Sequence, residues 1–289
     1  MKRVLIVMLA GVLIASMAMA QAKPAAPQQK GQTAQQPAGQ AAPNVKQTKS
    51  KEEFAAYNAA VAMTDPAAVE AAANDFVNKY PESELRGELY RRAMGLYGQA
   101  GNTEKVVENG RKALTYLPDD AATLVVMASE IAEHTRETDL DRDERLAEVT
   151  KYATHALETV DKTVAPPAMS PEQFAQAKAQ LRSDSYSALG MAGFVKKDYA
   201  TAEKNFKSAL QSVPNDDYIM LRLTIALDKQ NKYAEGLDWA NKTIAASKPG
   251  SQVQELATQE KARLTTMANA QAKPAAAPGA PQPQTVTPK

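Results

Sequence analysis

Between residues 52 and 267 apolar side chains recur three and four positions apart, and the runs stop at Asp65-Pro66, Pro81, Gly101-Asn102, Pro118, Pro166-Pro167, Pro214 and Pro249. A recurrence of three to four puts the apolar residues on one face of an α-helix. Proline and Gly-Asn pairs end helices, because proline lacks the amide hydrogen and glycine and asparagine adopt turn conformations at little cost. The middle of the chain therefore predicts a succession of short amphipathic helices. The intervals between Pro81, Pro118, Pro214 and Pro249 suggest a unit near 35 residues, and a period in that range marks repeat architectures.

The clearest unit runs from about Ser183 to Asp216. Tyr186, Leu189 and Gly190 open it, followed by Phe194, Asp198-Tyr199, Ala202, Phe206, Ala209-Leu210 and Pro214. It resembles the tetratricopeptide repeat, whose pattern is W-x2-L-G-x2-Y, then A-x3-F, then P over about 34 residues. Tyr186 takes the tryptophan place and Ala202-x3-Phe206 fits without a gap; the departure is Gly193 at the first tyrosine place, with Phe194 beside it. The spacing has a physical reason. Where two antiparallel helices approach closely, small residues (Gly190, Ala202, Ala209) sit at the crossing, and Tyr186, Leu189, Tyr199, Phe206 and Leu210 fill the gaps on either side.

A second match runs from Gly87 to Asp120, with Tyr90, Tyr97, Gly101-Asn102, Ala113-Leu114 and Pro118 at corresponding places and Gly110 where Phe206 stands. The unit from Asp217 keeps Leu223, Tyr233, Leu237 and Ile244, with Gly236 at the small-residue position and Pro249 one place late. Another begins near Ala121 with Leu124, Met127 and Ile131, is interrupted by the charged stretch Thr135 to Glu144, and resumes from Arg145 with Leu146, Val149, Ala156 and Leu157. A degenerate first pair spans Glu52 to Tyr80, around Phe54, Tyr57, Val61, Val69, Phe76 and Val77. Gln252 to Met267 reads as a terminal capping helix. The resemblance covers about 210 of the 289 residues and implies an all-α fold. The expectation is a right-handed α-solenoid of about five antiparallel helix pairs plus a cap over residues 52–268, against a plain helical bundle as the alternative.

Composition completes the outline. Residues 1–20 carry Lys2 and Arg3, an apolar run from Val4 to about Met19, and Ala18-Met19-Ala20, the pattern of a secretory signal peptide cleaved near Ala20. The expectation is a protein exported to the periplasm or beyond, with an uncleaved membrane anchor as the alternative. Residues 21–51 are rich in Gln, Ala, Pro, Gly and Lys, and the segment from 269 to 289 repeats that composition. Neither holds enough apolar surface to offset its ordering entropy, so both are expected to be disordered. The first segment has a charge of +5 and the tail +2, whereas residues 52–267 sum to −8. The expectation for the basic linker is solvated charge on a disordered segment, with weak contact to an anionic envelope surface as the alternative. An acidic core speaks against nucleic acid, whose binding rests on neutralising phosphates.

Two histidines and no cysteine exclude disulfides, thiolate sites and multi-histidine metal centres. Asp139, Asp141 and Asp143 alternate like the start of a calcium loop, but Glu144 replaces the turn glycine and Thr150 stands where the closing glutamate belongs, so a solvated charged loop is expected. No nucleophile elbow, phosphate-binding glycine loop or catalytic set accompanies His155, and Trp239 reads as core. Neither a catalytic role nor a cofactor is expected.

The tetratricopeptide resemblance implies a concave groove, lined by the first helices of successive pairs, that holds a peptide or partner helix. Carried over, the groove-facing places are Glu88, Arg91 and Gln99 in the unit from Gly87, and Asp184, Ser187, Met191 and Phe194 in that from Ser183. In the unit from Asp217 they are Tyr218, Leu221, Ile225, Asp228 and Lys229. Tyr218, Leu221 and Ile225 form a second apolar stripe beside the core stripe of Leu223 and Leu227. With Met191 and Phe194 they make an apolar patch if the groove is open, and part of the core if a neighbouring helix covers them. The expected function is non-catalytic protein–protein interaction in the cell envelope, with a structural envelope component held by its N-terminus or basic linker as the alternative. The partner and the oligomeric state are not legible.

Overall fold

The computed structural model describes residues 48–166 and 168–272. The apolar leader, residues 21–47 of the basic segment and the tail from 273 lie outside the described residues. Those described form α1 (Lys51–Ala62), α2 (Pro66–Lys79), α3 (Arg86–Gln99), α4 (Thr103–Tyr116), α5 (Ala121–Glu133), α6 (Arg142–Thr159), α7 (Pro171–Val195), α8 (Tyr199–Ser212), α9 (Asp217–Lys229), α10 (Tyr233–Ala246) and α11 (Gln252–Ala272). A short 3-10 turn, Val160–Lys162, follows α6, and no strand occurs among the described residues. The fold class read from the periodicity is therefore correct: all-helical, with consecutive helix pairs of the α-solenoid type.

The caps explain why the helices start where they do. Ser50, Asp65, Asn102, Asp120, Asp198 and Asp216 each accept an amide hydrogen from the first turn of the helix that follows, which satisfies donors the helix itself leaves orphaned. At α1 the Glu53 side chain also reaches back: its Oε2 accepts from the amide of Lys49, the residue before the cap, at 2.6 Å.

Three turns between the two helices of a pair are built alike. Asn102 donates to the Tyr97 carbonyl (2.9 Å), Asp198 to Gly193 (2.9 Å) and Lys232 to Leu227 (3.0 Å). Inside each, Gly101 donates to Gly98, Lys197 to Phe194 and Asn231 to Asp228. This is the Schellman pattern, which needs a left-handed residue just past the helix. Gly101, Lys197 and Asn231 supply it, with φ of 70°, 61° and 59°.

The helices sort into two compact units divided within α7, Met1–Ser185 and Tyr186–Lys289. In the first, α1 packs on α2, α2 on α3, α3 on α4, α4 on α5 and α5 on α6. Its interior holds Phe76, Leu89 and Tyr90, then Met94, Tyr97 and Val106, then Leu124, Val125, Ala156, Val160 and Leu181. In the second, α8 packs on α9, α9 on α10, and α11 on both α9 and α10. Its core gathers Ala202, Phe206, Ala209, Ile219, Leu223 and Leu227, and a smaller cluster joins Tyr233, Ala240 and Leu264.

Gly190 and Phe206 meet at a close approach of α7 and α8. A Cβ on Gly190 would lie 2.5 Å from the Phe206 ring, which is fully buried, so glycine is required for the ring to fit. Gly193, which departs from the pattern, has an equally local cause: a Cβ there would meet the Ala202 amide nitrogen at 3.0 Å and the Asp198 carbonyl at 3.2 Å. The α7–α8 turn is too tight for a side chain at that place, and the aromatic contact passes to Phe194 and Tyr199, edge to face at 5.3 Å.

Two boundaries differ from expectation. α6 begins at Arg142 rather than Arg145, and α11 continues to Ala272, past the Met267 end inferred from the apolar spacing. Alanine-rich sequence extends a helix without requiring an apolar face. The aspartates of the charged stretch are turned to their neighbours. Asp139 accepts from the Arg136 amide at 2.8 Å, Asp143 pairs with Arg142 at 2.9 Å, and Asp141 lies 3.8 Å from Arg145.

Candidate interaction surface

α9 carries the stripe to which the sequence pointed. Its inward residues Ile219, Met220, Leu223, Ala226 and Leu227 belong to the second unit's core. Of the outward set, Leu221 is only 4% exposed, whereas Tyr218 and Ile225 are half-buried and Lys229 is exposed. The Tyr218 ring carries the Arg222 guanidinium 4.2 Å from its centroid, and Arg222 also donates to Ser187 Oγ of α7 at 3.2 Å. Met191 and Phe194 are half-buried and rest against the core cluster of Phe206, Ile219 and Leu223. The stripe thus divides: Leu221 is covered, Met191 and Phe194 lean inward, and Tyr218 and Ile225 keep an accessible face. Trp239 likewise packs against the core, with Lys242 4.3 Å above its ring.

In the first unit the corresponding places on α3 are polar and paired. Arg91 reaches Glu88 at 2.5 Å and Asp120 at 3.8 Å. Burial works against its charge, but the two carboxylates outweigh it and push the Arg91 pKa up. Burial and then Glu88 push the Tyr57 hydroxyl up. Gln99 is exposed at the end of the helix. Tyr90 donates to Asn74 at 2.9 Å and stacks on Tyr116 at 6.1 Å, while Ala113 is fully buried beside it. Pro118 and Pro214 stand just after α4 and α8, as breakers should.

The apolar pattern gave no hint of the buried charge. Glu70 on α2 accepts from Tyr97 Oη (2.8 Å), Lys112 Nζ (3.0 Å) and Lys105 Nζ (3.3 Å). Glu203 on α8 accepts from Lys232 Nζ (2.6 Å), Lys207 Nζ (2.7 Å) and Gln230 Nε2 (2.8 Å). In both, burial opposes ionisation, but the hydrogen bonds win and hold the carboxyl at about 2. Each glutamate stands five residues after the aspartate that caps its helix, Asp65 or Asp198, a spacing the sequence does display. His155 bonds Asp119 at 2.8 Å on the surface. Among the described residues no group of three or more His, Cys, Asp or Glu side chains is placed to hold a metal ion, and no helix is long and apolar enough to cross a membrane.

No protein-family model matches this chain, and a search of curated proteins found no significant match.

Proposed function

We propose that this chain is a tetratricopeptide-type binding module, exported from the cytoplasm, that holds a peptide or partner helix against the first helices of its pairs. Tyr218 and Ile225 carry the reading. Both lie on the outward face of α9, on either side of the buried Leu221, and both stay only partly buried after the core is complete. Leu221 is buried and Arg222 already stacks on the Tyr218 ring, so a ligand settling there would have fewer side chains left to order. An aromatic ring with a guanidinium on it suits a ligand that is apolar on one side and carries a carboxylate or carbonyl on the other. The exposed polar Gln99 and the paired Arg91 give the first unit's face a different, hydrophilic character. The role is non-catalytic.

The test is capture from an envelope fraction with the full chain beside a Tyr218→Ala/Ile225→Ser variant, both checked for equal helicity and melting temperature. Leu221 is left intact, because a polar residue there would disturb the core. A discrete protein bound by the parent at least tenfold more strongly than by the variant supports the reading. Equal capture by both sinks it.

A further inference from the structure

α11 is held by a narrow apolar grip. Ala257 and Leu264 are fully buried on it, and Met267 and Ala268 are partly buried beside Tyr233 and Ala240. Its outer side is exposed and polar through Glu255, Gln259, Lys261 and Thr265. Polar contacts with α9 add to this apolar packing, most of which is made on α10. At their centre Arg263 donates through Nε at 3.1 Å, and also through Nη2, to Oδ2 of Asp228. The Asp228 side chain is 2% exposed, and its other oxygen, Oδ1, has no hydrogen-bond partner among the described residues. Glu260, one turn before Arg263, has the same defect. Its Oε1 is sequestered without a hydrogen-bond partner and lies 3.8 Å from Arg263 Nε.

One guanidinium therefore serves two carboxyl groups. If both were ionised, the cluster would keep a net negative charge and two unsatisfied oxygens away from water, each a cost a native interior avoids. One proton between the two carboxyls removes the charge and gives each orphan oxygen a partner, as in other close carboxyl pairs. The groups facing the pair are Lys229 beside Asp228 on α9, Tyr233 on α10 and Arg263 on α11 itself. Burial first, then Asp228, push the Glu260 pKa above the ordinary glutamate value, and Arg263 and Lys229 do not cancel them.

We propose that Asp228 and Glu260 share one proton, and that this proton latches α11 onto α9, so that the terminal helix loosens when the proton leaves. A carboxyl whose pKa is raised in the folded state contributes stability that is full at acid pH, below the ordinary glutamate value, and is lost as pH rises through the folded-state value. The latch is closed at acid pH and weakens toward alkaline pH, opposite to the carboxylates of Glu70 and Glu203.

Amide hydrogen exchange on the full chain, corrected for intrinsic rates, tests this from pH 4.5 to pH 8. Protection of residues 257–268 should fall with rising pH by at most about tenfold per unit, because one proton is linked, while protection of α8 stays flat. In a Glu260→Gln variant the amide donates to Asp228 at every pH, so protection there should be independent of pH. Constant protection in the parent, or the same slope in the variant, overturns the proposal. Should the variant not fold, carboxyl-carbon titration of the parent decides. Titration of Glu260 above the ordinary glutamate range supports the shared proton. Titration of Glu260 at the ordinary value refutes it.

Discussion

The α7–α8 crossing of the second unit and the α3–α4 crossing of the first are the same joint with the sizes exchanged. In the second, Gly190 on α7 leaves room for Phe206 on α8. In the first, the equivalent residues are Met94 on α3 and Gly110 on α4. A Cβ on Gly110 would lie 2.1 Å from Met127 Sδ and 3.3 Å from Met94 Sδ. The large side chain comes from one helix in one unit and from the opposite helix, assisted by α5, in the other. What the joint requires is a filled volume at a close backbone approach, and either helix can supply it. The repeat pattern reads clearly from Ser183 and loosely from Gly87 for this reason: the pattern records residue identities, whereas packing constrains their sum.

The exchange is not neutral in mechanics. A phenyl ring is rigid and a thioether chain is not, so the second unit's joint should be the more brittle. Phe206→Ala should cost about 3–5 kcal/mol in denaturant unfolding. Met94→Ala should cost nearer 2 kcal/mol, because Met127 can move into part of the space. Equal losses would break the comparison. Adding bulk should follow the same order. Gly190→Ala forces a methyl against a ring with no exposure and should cost about 1–3 kcal/mol. Gly110→Ala meets the Met127 thioether, which is also buried but can change rotamer, and regains up to about 1 kcal/mol of helix propensity, which leaves a loss of about 0.5–2 kcal/mol.

The buried glutamates sharpen the comparison from the other side, since here the two units agree. Glu70 and Glu203 each hold a carboxylate at about 2 through hydrogen bonds from two lysines and one neutral donor. A depressed carboxylate contributes stability above the ordinary glutamate pKa and loses it as pH falls toward the folded-state value. The parent should lose stability between about pH 4.5 and pH 2, and Glu70→Gln and Glu203→Gln should each flatten that dependence while costing about 1–2 kcal/mol at neutral pH. A flattening from only one of the two would show that the networks are not equivalent.

The smallest effect expected is at the shared turn. Lys197 holds a left-handed conformation that a side chain disfavours, so Lys197→Gly should raise stability by about 0.5–1 kcal/mol, readable as a higher midpoint of thermal unfolding. Asn231→Gly should gain less, because asparagine tolerates that region. Gly101 already has the residue the turn prefers.

Much of this architecture was legible along the chain. The helices and most of their breaks follow from interactions within a few residues of one another, and such interactions are written in order. The stripe on α9 was legible as a stripe, since a period places Tyr218, Leu221 and Ile225 on one face whatever surrounds the helix. Which of them stays open was not. Leu221 is buried and Tyr218 and Ile225 are not because of where the neighbouring helices lie. Asp228 passed for an exposed groove residue until Arg263, far along the chain, was brought onto it. Gly193 read as a departure until the backbone of Ala202 was seen against it. By itself, the sequence determined which residues form helices and which way each faces, because those follow from local periodicity and turn chemistry. Tertiary structure alone decided what covers each face and which charges meet, because burial is a property of residues distant in the chain that happen to close on one another.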